Sequence, residues 1–291
     1  MLPRSDEPCG VPLPMSAARA APSLRALLLV LVLGVLLPTL GFAALAVMRF
    51  AEAERSRVEA RAADIAREAT FSLDRYFGEV LAAARVVAGS ESLAAGDLAA
   101  FHRRAREAMA ALGGSIIGLR DAESRQVLNT AIPWGQPLPA GTRIAREDAR
   151  AAATGQPVFS GGFTGLTDGM WQFSVVLPLP DTGVPGAPRF LNLSAPAARV
   201  QAILAREVTL ERGMVAVVID REGNFVAHSA DPAAVGRPSP NLAAATGQRA
   251  GTLRGPGPGG EPVLVAYRWS EVADWRISVA VPQAVLDAPL R

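Results

Sequence analysis

Lysine is absent from the chain: all 29 basic residues are arginine. The phosphate-gripping lysine of a P-loop, the Schiff-base lysine of pyridoxal phosphate enzymes and the nucleotide lysine of protein kinases need an ammonium that arginine does not reproduce. Those three classes are excluded. Cysteine is nearly absent too, and the single Cys9 permits neither an intramolecular disulfide nor a thiolate metal cluster. So thiol-poor a chain suits an oxidising compartment such as a bacterial periplasm. The two histidines, His102 and His228, stand far apart, and no Gly-x-Ser-x-Gly or His-Glu-x-x-His motif occurs. We therefore expect no catalytic residue, no metal site and no cofactor. His102, beside Arg103 and Arg104, reads as part of a solvated helix face, and His228 as a local hydrogen-bonding residue at a strand end. The net charge of +2 comes from arginines scattered among acids. Nothing is massed into a basic segment, which argues against a nucleic-acid partner.

What is present begins with an uncharged apolar run over residues 26–48. A helix needs ~20 such residues to cross a ~30 Å hydrocarbon core, so the run reads as one membrane span. Pro38 and Gly41 are tolerated in that setting. A second reading stays open: Ala44-Leu45-Ala46 fits a small-x-small cleavage site, which would make the run a removed signal. Arg19 and Arg25 before the run are balanced by Arg49, Arg55 and Arg57 after it, so charge does not orient it. We place the N-terminus inside the cell and the bulk of the chain outside. Residues 1–23, rich in Pro, Ala and Gly, read as a disordered cytoplasmic N-terminus, and 24–48 as the transmembrane helix.

Over residues 49–88, Val58, Ile65, Leu73, Tyr76, Phe77, Val80, Leu81, Ala84 and Val87 recur at helical spacings. The first half of this segment is poor in large apolar residues. It is expected to be a stalk, solvated or pairing with a second copy through Val58, Ile65 and Ser72 to give a homodimer. The second half is expected to pack on the head. Asp97 reads as the N-cap of a further helix through Phe101, Ala105 and Met109, stopped by Gly113-Gly114.

The pattern then changes to short β-favourable runs at 115–120, 126–130, 156–160, 171–177 and 189–194, with a helical patch at 146–153. A helix at 195–210 follows. Strands restart at 214–220, 225–229, 247–254, 262–269 and 275–282. The Gly- and Pro-rich stretch 255–260 reads as a hairpin loop and not a phosphate cradle. The halves share a plan: Leu119-Arg120-Asp121 with Val127-Leu128-Asn129-Thr130 answers to Val218-Ile219-Asp220 with Phe225 to Ser229. The implied class is α+β, with antiparallel sheets and helices on one side.

This order of elements resembles the double Cache (dCache) periplasmic sensor regions of bacterial transmembrane receptors, above all those of sensor histidine kinases. The residues that carry the likeness are Val127 to Thr130, Pro133-Trp134-Gly135-Gln136-Pro137, Gly155-Gln156-Pro157-Val158, Val217 to Gly223, Val226-Ala227-His228-Ser229 and Val235-Gly236-Arg237-Pro238. The resemblance implies two PAS-like lobes: a stalk helix with a membrane-distal lobe over 49–194, and a membrane-proximal lobe over 195–291. It implies a small-molecule ligand. The family's amino-acid-binding order of tyrosine, arginine and tryptophan is not matched, so no amino acid is carried over. A complete receptor would add a second membrane helix and a transmitter, which makes this chain an isolated sensor, a fragment or half of a split gene.

A pocket in the first lobe is the candidate site. Trp134, Phe163, Trp171 and Phe173 are expected to line one wall, with Arg120, Asp121, Arg143 and Asp168 as orienting groups. The expected function is a sensor in the bacterial inner membrane, its C-terminal part periplasmic, that signals ligand binding through the long helix. The alternative is a cleaved periplasmic binding module acting with a separate partner protein.

Overall fold

A computed structural model describes residues 23–111, 114–211, 213–239, 247–257 and 260–287. The expectations for residues 1–22, including Cys9, for the helix stop at Gly113 and for the loop tip at 258–259 lie outside the described residues.

The first helix, α1, runs Leu24–Ala88 with Pro38 inside it. The chain divides into two units, Met1–Glu52 and Ala53–Arg291. In the first unit the helix presents its large apolar side chains outward all round: Leu29 is 60% and Phe42 74% exposed. It is long and apolar enough to cross a membrane. The turn disturbed by Pro38 is served by Thr39, whose Oγ1 donates to the carbonyls of Val35 (3.0 Å) and Leu36 (2.9 Å).

In the second unit α1 is a buried element. Ala62, Ile65, Ala66, Ala69, Leu73, Phe77, Val80 and Ala84 are all at most 7% exposed, at helical steps of three and four. This corrects the expectation for the stalk. Ile65, expected on a pairing face, is 1% exposed and sits in the core. Further up the helix, Arg55 pairs with Asp287, Arg61 with Glu211 and Glu59 with Arg254, so the charged stripe is partnered by the head.

A short helix α2 (Glu91–Ala94), which the sequence pattern did not suggest, precedes α3 (Leu98–Ala111). Asp97 caps α3 as expected, its Oδ1 accepting the Ala100 N–H at 2.9 Å. The first sheet contains β1 (Ile116–Arg120), β2 (Gln126–Asn129), β3 (Val158–Phe159), β4 (Phe163–Thr164), β5 (Trp171–Pro178) and β6 (Phe190–Pro196), with α4 (Ala145–Thr154) between β2 and β3. Its order is β2-β1-β6-β5-β3, with β4 also on β5, and all pairs are antiparallel. After α5 (Ala198–Glu207) the second sheet is built from β7 (Val215–Ile219), β8 (Phe225–His228), β9 (Ala250–Pro256), β10 (Pro262–Trp269) and β11 (Arg276–Pro282), closed by α6 (Gln283–Leu286). Its order is β8-β7-β11-β10-β9, again antiparallel throughout.

The α+β class and the two lobes are thus present, and the lobes repeat one another. In each, the second strand in sequence lies at one edge, the first beside it and the last at the centre. Each first hairpin carries a register shift, at Leu119/Arg120 and at Val218/Ile219. Each is also clasped by a hydroxyl: Thr130 Oγ1 accepts the Ile117 N–H and Ser229 Oγ the Ala216 N–H, both at 2.9 Å.

Strand alternation gives each sheet two unlike faces. Phe173, Val175, Leu177, Leu191, Leu193 and Ile117 point inward, and so do Val218, Leu264, Ile277, Val279 and Val281 of the second sheet; all join one core with α1. At its centre Phe77 meets Phe173 and Trp275 edge-on, at centroid distances of 5.6 and 5.1 Å.

Candidate functional site

The outward face of the first sheet is polar where the inward face is apolar. Gln172 and Ser174 on β5, Asn192 and Ser194 on β6, and Arg120 on β1 alternate with the core residues just named. Leu128 points to the core, while Gln126 and Asn129 of the same strand face the other way. A cavity of about 50 Å³ lies over this face, lined among others by Arg120, Gln126, Asn129, Arg143, Gln172 and Asn192.

Its floor is a buried ion pair. Arg120 Nε donates to Asp148 Oδ2 at 2.7 Å, its Nη2 to Asp148 Oδ1 at 2.5 Å, and its Nη1 to Asn192 Oδ1. The two side chains are 3% and 1% exposed. A bidentate pair of this kind satisfies both ions, so the Arg120 charge is already spoken for by α4. Gly118 makes room for it: a Cβ there would collide with the Asn192 amide. The exposed guanidinium of Arg143 at the rim makes no hydrogen bond or ion pair with another described residue.

Of the residues expected from sequence, Arg120, Arg143 and Phe163 meet at this cavity. The others are placed elsewhere. Phe173 has the opposite strand parity and belongs to the core, fully buried between Phe77 and Trp275. Asp121 folds back on its own turn, accepting the N–H groups of Glu123 (3.0 Å) and Arg125 (2.8 Å). Asp168 caps the Met170 N–H at 3.0 Å, while its neighbours Leu166 and Thr167 line the cavity. Trp134 is 52% exposed beside His102, 5.7 Å between ring centroids, at a separate cavity of about 190 Å³. His102 itself is buried, not solvated, with Nε2 2.8 Å from the Ile132 carbonyl oxygen.

Trp171 stands where the lobes join. Its ring covers Gly162, at which a Cβ would lie 2.5 Å from Cζ2, and approaches Gly236 of the second lobe. At the same junction the Gly162 N–H donates to Asp220 Oδ2 at 2.8 Å, and Trp275 Nε1–H to the Ser160 carbonyl at 3.1 Å. Burial pushes the Asp220 carboxyl above its ordinary range. The same is true of Glu222, where repulsion from Asp220 adds to the burial.

Sequence reasoning missed Gln126, Asn129, Asp148, Gln172 and Asn192. The signal existed for two of them: Gln172 and Asn192 are polar residues inside otherwise apolar strands, in phase with Ser174 and Ser194.

No protein-family model matches the chain, and no curated protein matches it. Solved structures do. The ligand-binding domain of Mlp24 with asparagine is 16% identical, with TM-score 0.60 over 81% of this chain and 98% of that one. The ligand-binding domain of the Pseudomonas fluorescens chemoreceptor CtaA in complex with L-isoleucine is 12% identical, with TM-score 0.60 over 81% and 97%. The extracellular domain of rpHK1S-Z16, assigned as a histidine kinase, is 15% identical, with TM-score 0.59 over 79% and 97%. At these identities the likeness speaks for the fold. The fold is that of the Cache-type sensor domains of chemoreceptors and histidine kinases, and the two-lobed arrangement expected from the order of elements is the one found.

Proposed function

We propose that this chain is an extracytoplasmic sensor. Its first lobe, 49–194, binds a small polar molecule, and its second lobe, 195–291, connects that event to α1. The observation that carries the reading is the cavity on the outer face of the first sheet. It holds four carboxamide side chains, of Gln126, Asn129, Gln172 and Asn192, and the rim guanidinium of Arg143, in a fold shared with ligand-binding domains. Carboxamides offer both donors and acceptors, and an exposed guanidinium offers charge, so a small zwitterion or organic acid is the fitting class. Asparagine and L-isoleucine are bound by the Mlp24 and CtaA domains, so amino acids are the first compounds to try. The cavity is small, and binding requires that it open. A ligand shifts such an equilibrium only by its differential affinity for the two arrangements, typically ~1–3 kcal/mol of coupling.

The apolar first unit of α1 supports a single-pass anchor in the inner membrane, with the lobes in the periplasm. The chain pairs as a homodimer through exposed α1 positions such as Phe71, 65% exposed, rather than through Ile65. No nucleic acid takes part, and the chain carries no chemistry of its own.

The test is a thermal-shift screen of the full chain in lipid nanodiscs against amino acids, small organic acids and amines. One class should raise Tm, and Arg143→Ala and Gln172→Ala should abolish that rise without lowering the ligand-free Tm by more than a few degrees. No stabilising compound, or a hit indifferent to both substitutions, overturns the reading. Light scattering on the same preparation should give two copies per particle.

A further inference from the structure

The second sheet has an outer face as well, and over it lies a cavity of about 250 Å³. Most of its wall is aliphatic, because alternation along β7, β10 and β11 turns valines to this side. Two side chains break that wall, and the register places them in one row: His228 on β8, Val217 on β7 and Ser278 on β11. The next row along the sheet is Val215, Ala280 and Val265. The register shift at Val218/Ile219 brings Phe225 to the same side as His228, their rings 5.3 Å apart.

Both of these polar groups are neutral and short of a partner. Ser278 is 1% exposed, and its Oγ makes no hydrogen bond. His228 is 5% exposed and accepts the N–H groups of Ala230 (3.3 Å) and Asp231 (3.0 Å) on Nδ1. That fixes the ring proton on Nε2, and no described residue accepts it. Burial pushes the His228 pKa below its ordinary range, with Asp231 opposing and Arg237 adding to the effect, so the ring is uncharged near neutral pH. The charged groups at the cavity leave its interior without a free charge. Arg276, 1% exposed, already has a partner within the chain, so it closes one end and offers a ligand neither charge nor donors. Glu261 stands exposed at the opposite mouth beside Val263, where it repels anions.

We propose that this cavity binds a small, uncharged carbonyl compound with an apolar body, its oxygen accepting from Ser278 Oγ–H and His228 Nε2–H and its body lying along Val215, Val265 and Ala280. The two donors flank Val217, their Cα atoms roughly 10 Å apart at ~4.8 Å per strand. One acceptor atom bridges that span through two bonds of about 2.9 Å as the side chains reach in from either side. The buried Ser278 hydroxyl, costly as it stands, gains an acceptor. A carboxylate would give up its hydration here and find no free cation. Since an apolar cavity of about 150 Å³ accommodates benzene, this larger one suits ketones the size of acetophenone or 2-heptanone. The site is separate from the first-lobe site and does not depend on it.

Calorimetric titration of the full chain in nanodiscs, with empty nanodiscs as the blank, tests the assignment using acetophenone, its hydrocarbon analogue ethylbenzene and its anionic analogue benzoate. Acetophenone should bind, and benzoate about tenfold or more weaker. Ser278→Ala should weaken acetophenone about tenfold and leave ethylbenzene unchanged, while raising the ligand-free Tm because it removes a hydroxyl that nothing satisfies. His228→Asn, whose amide oxygen can replace Nδ1 but which has no group at Nε2, should give the same split between ketone and hydrocarbon. A merely structural role for either residue would move both compounds together. Ala280→Phe, which fills the apolar end, should abolish binding while circular dichroism stays unchanged. Failure of acetophenone to bind, benzoate binding as tightly, equal losses for ketone and hydrocarbon in the Ser278 and His228 variants, or binding that survives Ala280→Phe overturns the proposal.

Discussion

The Gly162 N–H reaches across from the first lobe to the Asp220 carboxylate of the second at 2.8 Å. A carboxylate that accepts backbone N–H groups is ordinarily held low in pKa, yet Asp220 is raised, because burial outweighs those bonds. Beside it, Glu222 is crowded by the same burial and by Asp220 itself.

That junction should respond to acid. A raised folded-state pKa means the native protein keeps protons that the unfolded chain has released. Stability from these two groups therefore rises as pH falls from neutrality through the raised values. It levels off once the unfolded carboxyls, near 3.8 and 4.5, are protonated as well. Asp220→Asn with Glu222→Gln should raise Tm at about pH 7.5 and converge with the parent at about pH 4. Thermal melts across that range check it; parallel profiles for the two proteins would refute the assignment.

The Arg120 and Asp148 pair makes a second expectation. Removing one partner leaves the other charge buried, so Arg120→Met or Asp148→Leu alone should cost about 3–5 kcal/mol. The double replacement should recover most of that loss. Urea denaturation of the three variants yields the coupling directly, and additive losses would mean the pair is not a unit.

Phe77 provides a third. Truncating this fully buried side chain to alanine should cost about 3–5 kcal/mol through lost burial and the cavity left behind. Phe71→Ala, six residues earlier and largely exposed, should change the stability of the isolated monomer by about 0.5 kcal/mol or less. Equal effects at the two positions would contradict the helix orientation described above.

Much of the fold was legible because the strands are punctuated. β10 runs Pro262–Trp269, the limits expected from sequence, since a Gly- and Pro-rich stretch fixes one end and Ser270 to Asp274 the other. The two-residue strand β4 and the four-residue α2 are too short for any period to show, whereas β3 lies inside the run expected at 156–160. The stalk was misjudged for a different reason. Arg55, Glu59 and Arg61 look like a solvated stripe, and their partners Asp287, Arg254 and Glu211 are 232, 195 and 150 residues away. Local pattern carries no record of such distant charges.

The site was half legible. Aromatic residues drew attention to Phe173, but strand parity decides the side, and Phe173 shares parity with Val175 and Leu177. Applied consistently, the same alternation brings out Gln172 and Asn192. Asp148 lies in a helix whose packing against the sheet no local sequence feature announces.

Phe77 rests on Phe173 of one sheet and on Trp275 of the other. A displacement of either sheet therefore meets the same helical turn, and neither sheet can shift against the helix without disturbing an aromatic contact that the other shares.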